Sequence, residues 1–150
     1  MNKINHKMLL LKTDPHSAFR FFTEKKLLQN WLTAIADVEP VVGGKYELFW
    51  DPENTEDNST IGCKITAIER DKLIAFEWKS PKQFKQFANS ADPLTHVVIS
   101  FIPIEDLTEI HLVHSGWRNT PEWEEARIWQ ERAWKVAFNN LSDYFKEIRR

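Results

Sequence analysis

The sequence predicts an α+β fold in which a curved antiparallel sheet lies against one long C-terminal helix. Apolar residues alternate with a period of two through the middle of the chain, and turn sequences separate the alternating segments. The C-terminal part instead carries an apolar stripe with helical spacing. A chain of 150 residues fits one hydrophobic core, so we assign residues 1–150 to a single domain.

The N-terminal segment predicts a strand followed by two short helices. The strand is expected from three apolar residues, Ile4, Met8 and Leu10. Asp14 is placed to cap the first helix, with Pro15 at the first helical position, where an N–H would have no partner. Thr23 is expected to cap the second helix, whose apolar residues recur every three or four positions: Leu27, Leu28, Trp31 and Leu32.

Three antiparallel hairpins are expected in the centre of the chain. Residues 51–58 form an acidic loop between the two strands of the first hairpin. They lack the ligand spacing and the turn glycine of a calcium site. The last hairpin joins strands at residues 94–104 and 107–117. The residues that share a face within each strand are Tyr46, Leu48 and Trp50; Ile61, Cys63 and Ile65; Ile74, Phe76 and Trp78; and Ile110, Leu112, His114 and Gly116.

A long helix is predicted over residues 121–149. Thr120 is its expected cap and Pro121 its first residue, with acidic side chains near the positive end of the helix dipole. Its apolar stripe comprises Ala126, Ala133, Trp134, Ala137, Phe138, Leu141, Phe145 and Ile148. Only the inward face of the strands offers apolar surface of comparable length, so the helix is expected to lie across the sheet.

Composition argues against several classes of protein. The 20 basic residues nearly balance the 22 acidic residues, and a net charge of -2 disfavours nucleic acid as a partner. The longest apolar run, residues 97–104, is less than half of the roughly 20 residues that span a bilayer, so no membrane insertion is expected. A single cysteine and the absence of an N-terminal apolar signal segment favour a cytoplasmic location.

The order of these elements resembles the helix-grip fold of the START/Bet v-like (SRPBCC) superfamily. Within it, the chain resembles the family of activator of heat-shock protein 90 ATPase homologues, and the resemblance covers nearly the whole chain. It is carried by Pro15 before Ala18 and Phe19, by residues 23–31, 43–48, 76–78 and 114–117, and by the tryptophan-rich helix that follows.

The resemblance implies an apolar cavity between the sheet and the long helix, which relatives often use for lipids or other small hydrophobic molecules. The predicted ligand-binding residues are Tyr46, Leu48, Trp50, Phe76, Trp78, Ile110, Leu112, His114, Trp134 and Phe138. Residues 80–93 form a long connection with two aromatic residues, Phe84 and Phe87. This segment is either a lid over the cavity mouth or a second small packing cluster.

Histidines are the strongest candidates for chemistry in the sequence. His111 and His114 lie three apart on a predicted strand and therefore point to opposite faces, so no metal site is predicted. His114 shares the inward face, where it is either a hydrogen-bonded core residue or a ligand contact. No nucleophile or second catalytic group accompanies it, and neither a catalytic residue nor a cofactor is predicted.

Three functions remain open at this stage. The first is non-enzymatic binding of a small hydrophobic, lipid-like or aromatic ligand in the cavity. The second is a co-chaperone-like module that docks on a chaperone through outward charges such as Glu47 or Lys79. The third, ranked lowest, is an enzyme that uses His114 as a general base. The chain is expected to be a monomer or a weak homodimer, with Trp123 or Trp129 as the contact.

Overall fold

The computed structural model describes residues 3–149 and shows an α+β architecture of the helix-grip type, which confirms the predicted fold class. Two short helices follow the first strand, and one long helix follows the last strand. In chain order the elements are β1 (Asn5–Leu11), α1 (Pro15–Thr23), α2 (Lys25–Trp31), β2 (Ile35–Val38), β3 (Tyr46–Phe49), β4 (Ile65–Glu69), β5 (Leu73–Trp78), a 3-10 turn (Lys82–Phe84), α3 (Lys85–Ala88), β6 (Thr95–Ile104), β7 (Leu107–Ser115) and α4 (Pro121–Ile148).

Five strands form one antiparallel sheet in the order β1-β7-β6-β5-β4, and β2 pairs with β3 in a separate two-stranded sheet. The two sheets meet where the backbone N–H of Tyr46 donates to the carbonyl of Cys63 at 2.9 Å. Close by, the N–H of Ile65 donates to the carbonyl of Gly44 at 2.8 Å. These bonds extend the wall of the large sheet through β3.

Strand β1 lies where the sequence predicts it, but Met8 and Leu10, two of the apolar residues used to predict it, point outwards. Met8 and Leu10 are 50% and 47% exposed, because Met8 lies opposite the outward-facing His111 of β7. The N-terminal half of the inner face of β1 is polar and meets a polar part of α4, whereas Leu9 and Leu11 of the same face pack in the core. There the side chain of Asn5 donates to the carbonyl of Arg127 at 3.1 Å, and Lys7 pairs with Glu131 at 3.7 Å.

The first cap is confirmed and the second is wrong. Asp14 accepts a hydrogen bond from the backbone N–H of Ser17 at 2.7 Å, and Pro15 opens α1. The prediction that Thr23 caps α2 fails because α1 continues through Thr23, whose hydroxyl donates to the carbonyl of Phe19 at 3.1 Å. Glu24 occupies the cap position of α2 and makes no side-chain capping bond.

Strand β4 begins at Ile65, later than predicted, so Ile61 and Cys63 precede it. Residues 60–63 form a turn, in which the N–H of Cys63 donates to the carbonyl of Thr60 at 3.0 Å. The hydroxyl of Thr60 accepts from the N–H of Leu48 at 2.9 Å, where a strand carbonyl would otherwise serve. Cys63 is fully buried in this turn, and burial raises the pKa of its thiol to about 12.

Helix α4 is capped by Thr120, whose hydroxyl accepts from the N–H of Trp123 at 3.3 Å, as predicted. Gly116 is not part of the inward face of β7, because the strand ends at Ser115. It has a φ of +94°, and a Cβ there would lie 3.1 Å from the Cα of Thr95, so its close approach is to the neighbouring strand. Within residues 3–149, no helix combines the length and apolarity that a bilayer crossing requires.

The hydrophobic core lies between the inner face of the large sheet and helices α1 and α4. Phe22 of α1 meets Phe101 of β6 at 5.6 Å between ring centroids, and it meets Phe138 of α4 at 6.3 Å. Leu141 lies fully buried further along α4. These contacts fill the space between sheet and helix over most of its length, and a cleft opens beside the C-terminal end of β5.

Candidate functional site

An open cleft of about 590 Å³ lies beside the C-terminal end of β5, and five of the seven tryptophans of the chain line it. Its walls come from α2, from the loop after β3, from the segment after β5 and from α4. The lining residues are Trp31, Leu32, Trp50, Asp51, Asn58, Ser59, Trp78, Lys79, Pro81, Gln83, Trp129, Gln130, Ala133, Trp134, Val136, Ala137 and Asn140.

Helix α4 supplies one complete wall of the cleft. The residues that face it recur at spacings of three and four positions and so form a continuous stripe: Trp129, Ala133, Val136, Ala137 and Asn140. A second stripe, which includes Trp134, Phe138 and Leu141, is rotated toward the sheet and buried in the core. Trp134 borders both stripes, so it belongs to the core and to the cleft wall at once.

We call the four tryptophans Trp31, Trp50, Trp78 and Trp134 the inner wall of the cleft. Their indole N–H groups are bound to protein acceptors. Trp31 donates to the carbonyl of Phe21 at 2.9 Å, and Trp50 donates to the carbonyl of Leu32 at 2.8 Å. Trp78 donates to a side-chain oxygen of Gln130 at 3.3 Å. Because these polar atoms are occupied, the indoles present mainly apolar ring surface to the cleft.

The inner wall is held by contacts among its rings. Trp78 lies 4.9 Å from Trp134 and 5.9 Å from Trp50, measured between ring centroids. The pair of Trp78 and Trp50 is edge-to-face, a favourable arrangement for two indoles. Ring contacts and indole hydrogen bonds together fix the orientation of this wall before any ligand enters.

His114 lies behind the wall in the protein core. Its Nδ1 accepts the indole N–H of Trp134 at 3.0 Å, so the ring proton is on Nε2, which lies 3.0 Å from the hydroxyl of Thr95. The side chain is fully buried, and burial lowers its pKa to about 3. His114 is therefore a neutral core histidine with both nitrogens occupied, and it does not line the cleft.

A sequence model of the activator of Hsp90 ATPase homolog 1-like protein family matches residues 12–146. The chain belongs to this family. The match covers α1 to α4 and therefore every element that lines the cleft. A comparison with curated protein sequences gives no significant match.

Solved structures share the fold of this chain at low sequence identity. A protein from Mesorhizobium loti is 18% identical with a TM-score of 0.77, and the match covers 97% of this chain and 98% of that one. The Aha1 dimer from Colwellia psychrerythraea is 17% identical with a TM-score of 0.73, over 95% and 96% of the two chains. An HSP90 activator from Plasmodium falciparum is 20% identical with a TM-score of 0.71, over 95% and 96%.

Three of the ten predicted ligand-binding residues line the cleft: Trp50, Trp78 and Trp134. The other seven lie in the packed core instead: Tyr46, Leu48, Phe76, Ile110, Leu112, His114 and Phe138. Tyr46, for example, stacks on Phe76 at 3.8 Å and donates its hydroxyl to the carbonyl of Phe22 at 2.7 Å. Burial raises the pKa of that hydroxyl, so Tyr46 is a neutral core residue.

The sequence analysis missed several residues that line the cleft. Gln130 is 4% exposed, lines the cleft and accepts the indole N–H of Trp78, but a polar residue on a helix gives no signal of burial in the sequence. Trp129, which the sequence analysis names only as a possible dimer contact, also forms part of the rim of the cleft. It is 40% exposed. Trp123, the other residue named as a contact of a weak homodimer, lacks the exposure expected of it, because its side chain is only 7% exposed and packs on Phe87.

Phe84 and Phe87 belong to a second packing cluster, which was one of the two predicted alternatives. They pack against the core residues of this cluster, Ala88, Trp117, Trp123 and Ala126. Neither phenylalanine lines the cleft, although Pro81 and Gln83 of the same connection do. Phe84 also lies 6.2 Å from the ring of Trp129, so the second cluster supports the rim of the cleft.

Charged groups are confined to the outer part of the lining, where Asp51 and Lys79 are the only ionisable side chains that contribute. His111 lies on the opposite face of the sheet, as predicted, and its Nδ1 is 2.9 Å from Nε2 of His6. Within residues 3–149, no group of three histidine, cysteine or acidic side chains is arranged to hold a metal ion.

Proposed function

We propose that this chain binds a small, largely apolar molecule in the tryptophan-lined cleft without transforming it chemically. The observation that carries the proposal is the gathering of five indoles from four parts of the chain around one open cleft. Trp50 and Trp129 leave apolar ring surface exposed at the mouth of the cleft, at 39% and 40%, and an exposed apolar patch beside a cleft often marks a binding site. A volume of about 590 Å³ is within the range of small-molecule sites.

The chemistry of the lining favours binding over catalysis. The side chains nearest the wall are indoles and aliphatic groups, and the two ionisable side chains, Asp51 and Lys79, belong to the outer part. The histidine that an enzyme would need, His114, has both ring nitrogens occupied behind the wall. A general base needs a free lone pair within hydrogen-bond reach of its substrate, and His114 does not offer one.

A substitution that fills the cleft tests the proposal. Ala133 lies in the middle of the α4 wall, so Ala133→Phe places a ring in the space that a ligand would occupy. Lys135→Phe is the matched control, because Lys135 is exposed on another face of the same helix and does not line the cleft. Both variants add the same ring to α4, and only the first one obstructs the site.

Binding of fluorene, palmitate and cholesterol would be followed by tryptophan fluorescence and by the midpoint of thermal unfolding. We expect at least one probe to quench the fluorescence and to raise the midpoint in the unmodified protein and in Lys135→Phe, but not in Ala133→Phe. Failure of all three probes to bind, or equal binding by both variants, would contradict the proposal.

Docking on a chaperone is a second candidate, and the family assignment is the observation that supports it. The related protein from Plasmodium falciparum is described as an HSP90 activator. Glu47 offers a test, because its carboxylate accepts the backbone N–H of Gly62 at 2.8 Å and Glu47→Gln keeps an acceptor while removing the charge. This candidate predicts that the chain stimulates the ATPase rate of Hsp90, that Glu47→Gln weakens the stimulation and that Ala133→Phe leaves it unchanged.

A further inference from the structure

Gln130 carries an amide group that has a partner on one side only. It is 4% exposed, it lines the cleft, and one atom of its amide lies 3.3 Å from the indole nitrogen of Trp78. Within residues 3–149 no hydrogen bond joins the other amide atom to a protein group. In this part of the chain no side-chain nitrogen or oxygen that is sealed from solvent lacks a partner, so this amide atom is open to the solvent of the cleft, where it can meet a ligand.

The identity of the unpaired atom follows from the chemistry of Trp78. An indole N–H can only donate a hydrogen bond, so the amide atom that faces Trp78 must be the oxygen of Gln130. The NH₂ group of Gln130 is then the unpaired part, and it has two protons to donate. The wall of the cleft therefore offers a solvent-accessible hydrogen-bond donor among indole and alanine side chains.

We propose that Gln130 makes the cleft selective for flat aromatic molecules that carry a carbonyl oxygen, which accepts the hydrogen bond from its NH₂ group. This inference rests on the proposed binding function and narrows the class of ligand. The indole walls favour a flat aromatic body, since aromatic rings pack well on one another. A neutral carbonyl suits this position better than a carboxylate, because an ionised group would lose its hydration on entering an apolar site.

A matched pair of probes isolates the carbonyl group. Fluorene and 9-fluorenone share one rigid three-ring skeleton and differ in a single carbonyl oxygen. We expect the unmodified protein to bind 9-fluorenone about three- to tenfold more tightly than fluorene, the range that one net hydrogen bond provides. Equilibrium dialysis with chromatographic detection measures both dissociation constants without relying on tryptophan fluorescence.

Two variants separate selectivity from a loss of fold. Gln130→Met keeps the length of the side chain and removes the donor, so the ratio of the dissociation constants for fluorene and 9-fluorenone should fall to about one, whatever the affinity of the variant for fluorene. Gln130→Glu keeps an oxygen for the indole N–H of Trp78 and removes the NH₂ group, so it should also lose the preference. Thermal unfolding of both variants confirms that each one folds.

The outcomes distinguish this inference from the proposed function. Equal affinities of the unmodified protein for the two probes, or a preference that survives in Gln130→Met, would overturn the role of Gln130 and leave the binding function standing. Failure of both probes while palmitate or cholesterol still binds would overturn this inference alone, and failure of all four molecules would overturn the two proposals together. Loss of the preference in both variants, with fluorene binding retained, is the result that the inference predicts.

Discussion

The indole N–H of Trp134 donates to Nδ1 of His114 at 3.0 Å, so a residue of the cleft wall is tied to an imidazole in the protein core. On the other side of the ring, Nε2 of His114 meets the hydroxyl of Thr95 at 3.0 Å, and Thr95 donates to the backbone carbonyl of Trp78 at 3.4 Å. Two tryptophans of the wall are thus connected through one neutral histidine. The orientation of the wall depends on His114 remaining neutral.

Replacement of His114 tests this connection. His114→Leu should lower the free energy of unfolding by about 2–4 kcal/mol, because it leaves the indole N–H of Trp134 buried without an acceptor. His114→Asn can retain an acceptor near the position of Nδ1 and should lose less. Urea denaturation measures both values, and an equal loss in the two variants would contradict the importance of the bond to Trp134.

Stability should depend on pH through the same histidine. Burial lowers the pKa of His114 from 6.5 to about 3, so the unfolded chain binds a proton in a pH range in which the folded chain does not. Stability from this group is complete above the unfolded pKa of 6.5 and declines as the pH falls towards 3. The expected slope is at most about 1.4 kcal/mol per pH unit for one proton.

Urea denaturation between the two pKa values of His114 measures this slope. In His114→Asn the slope should be shallower by the contribution of one proton. His96, whose pKa is also lowered by partial burial, is present in both proteins and therefore serves as an internal control. Identical pH dependence in the two proteins would show that His114 does not titrate between these limits.

Tryptophans of the rim and of the inner wall should respond differently to truncation. Trp129 is 40% exposed, so Trp129→Ala should cost less than about 1 kcal/mol of stability while weakening ligand binding. Trp134 is buried and hydrogen-bonded, so Trp134→Ala should cost about 3–5 kcal/mol. Chemical denaturation gives the two values, and a similar loss in both variants would mean that the rim and the core are not separate.

The single cysteine should be inert in the folded protein. Cys63 is fully buried, and its raised pKa of about 12 leaves almost no thiolate at neutral pH. Iodoacetamide at about pH 8 should label it only after denaturation, with free glutathione as the reactivity standard. Rapid labelling of the native protein, followed by mass spectrometry, would contradict the placement of this residue.

The alternation of apolar residues correctly predicted the large buried side chains of β5. Ile74, Phe76 and Trp78 alternate in β5 and are all buried, as the period of two predicts. In β1 the same kind of pattern was misleading, because Met8 and Leu10 face outwards. Alternation identifies two faces but does not say which one meets the core, and β1 carries apolar residues on both faces. The inward residues are Leu9 and Leu11, which pack in the core, and Asn5 and Lys7, which meet Arg127 and Glu131 of α4.

The cleft was only partly predictable. An inward-facing aromatic residue of a strand lines either the core or the cavity, and the difference depends on which helix covers it. Phe22 and Phe138 close the space over the middle of the sheet, so Phe76 became a core residue and Trp78 a wall residue. The residues of α4 that face the cleft, from Trp129 to Asn140, do recur with helical spacing. The sequence analysis did not identify them as a separate stripe, because the neighbouring core stripe of the same helix is more apolar.

The most direct test of the binding site is the response of the indole N–H signals to a ligand in ¹H–¹⁵N spectra. The seven tryptophans divide into five that line the cleft and two, Trp117 and Trp123, that belong to the second packing cluster. Single Trp→Phe substitutions assign the signals. Addition of 9-fluorenone should shift the five signals of the cleft and leave those of Trp117 and Trp123 in place. Shifts confined to Trp117 and Trp123, or no shift at all, would contradict the account.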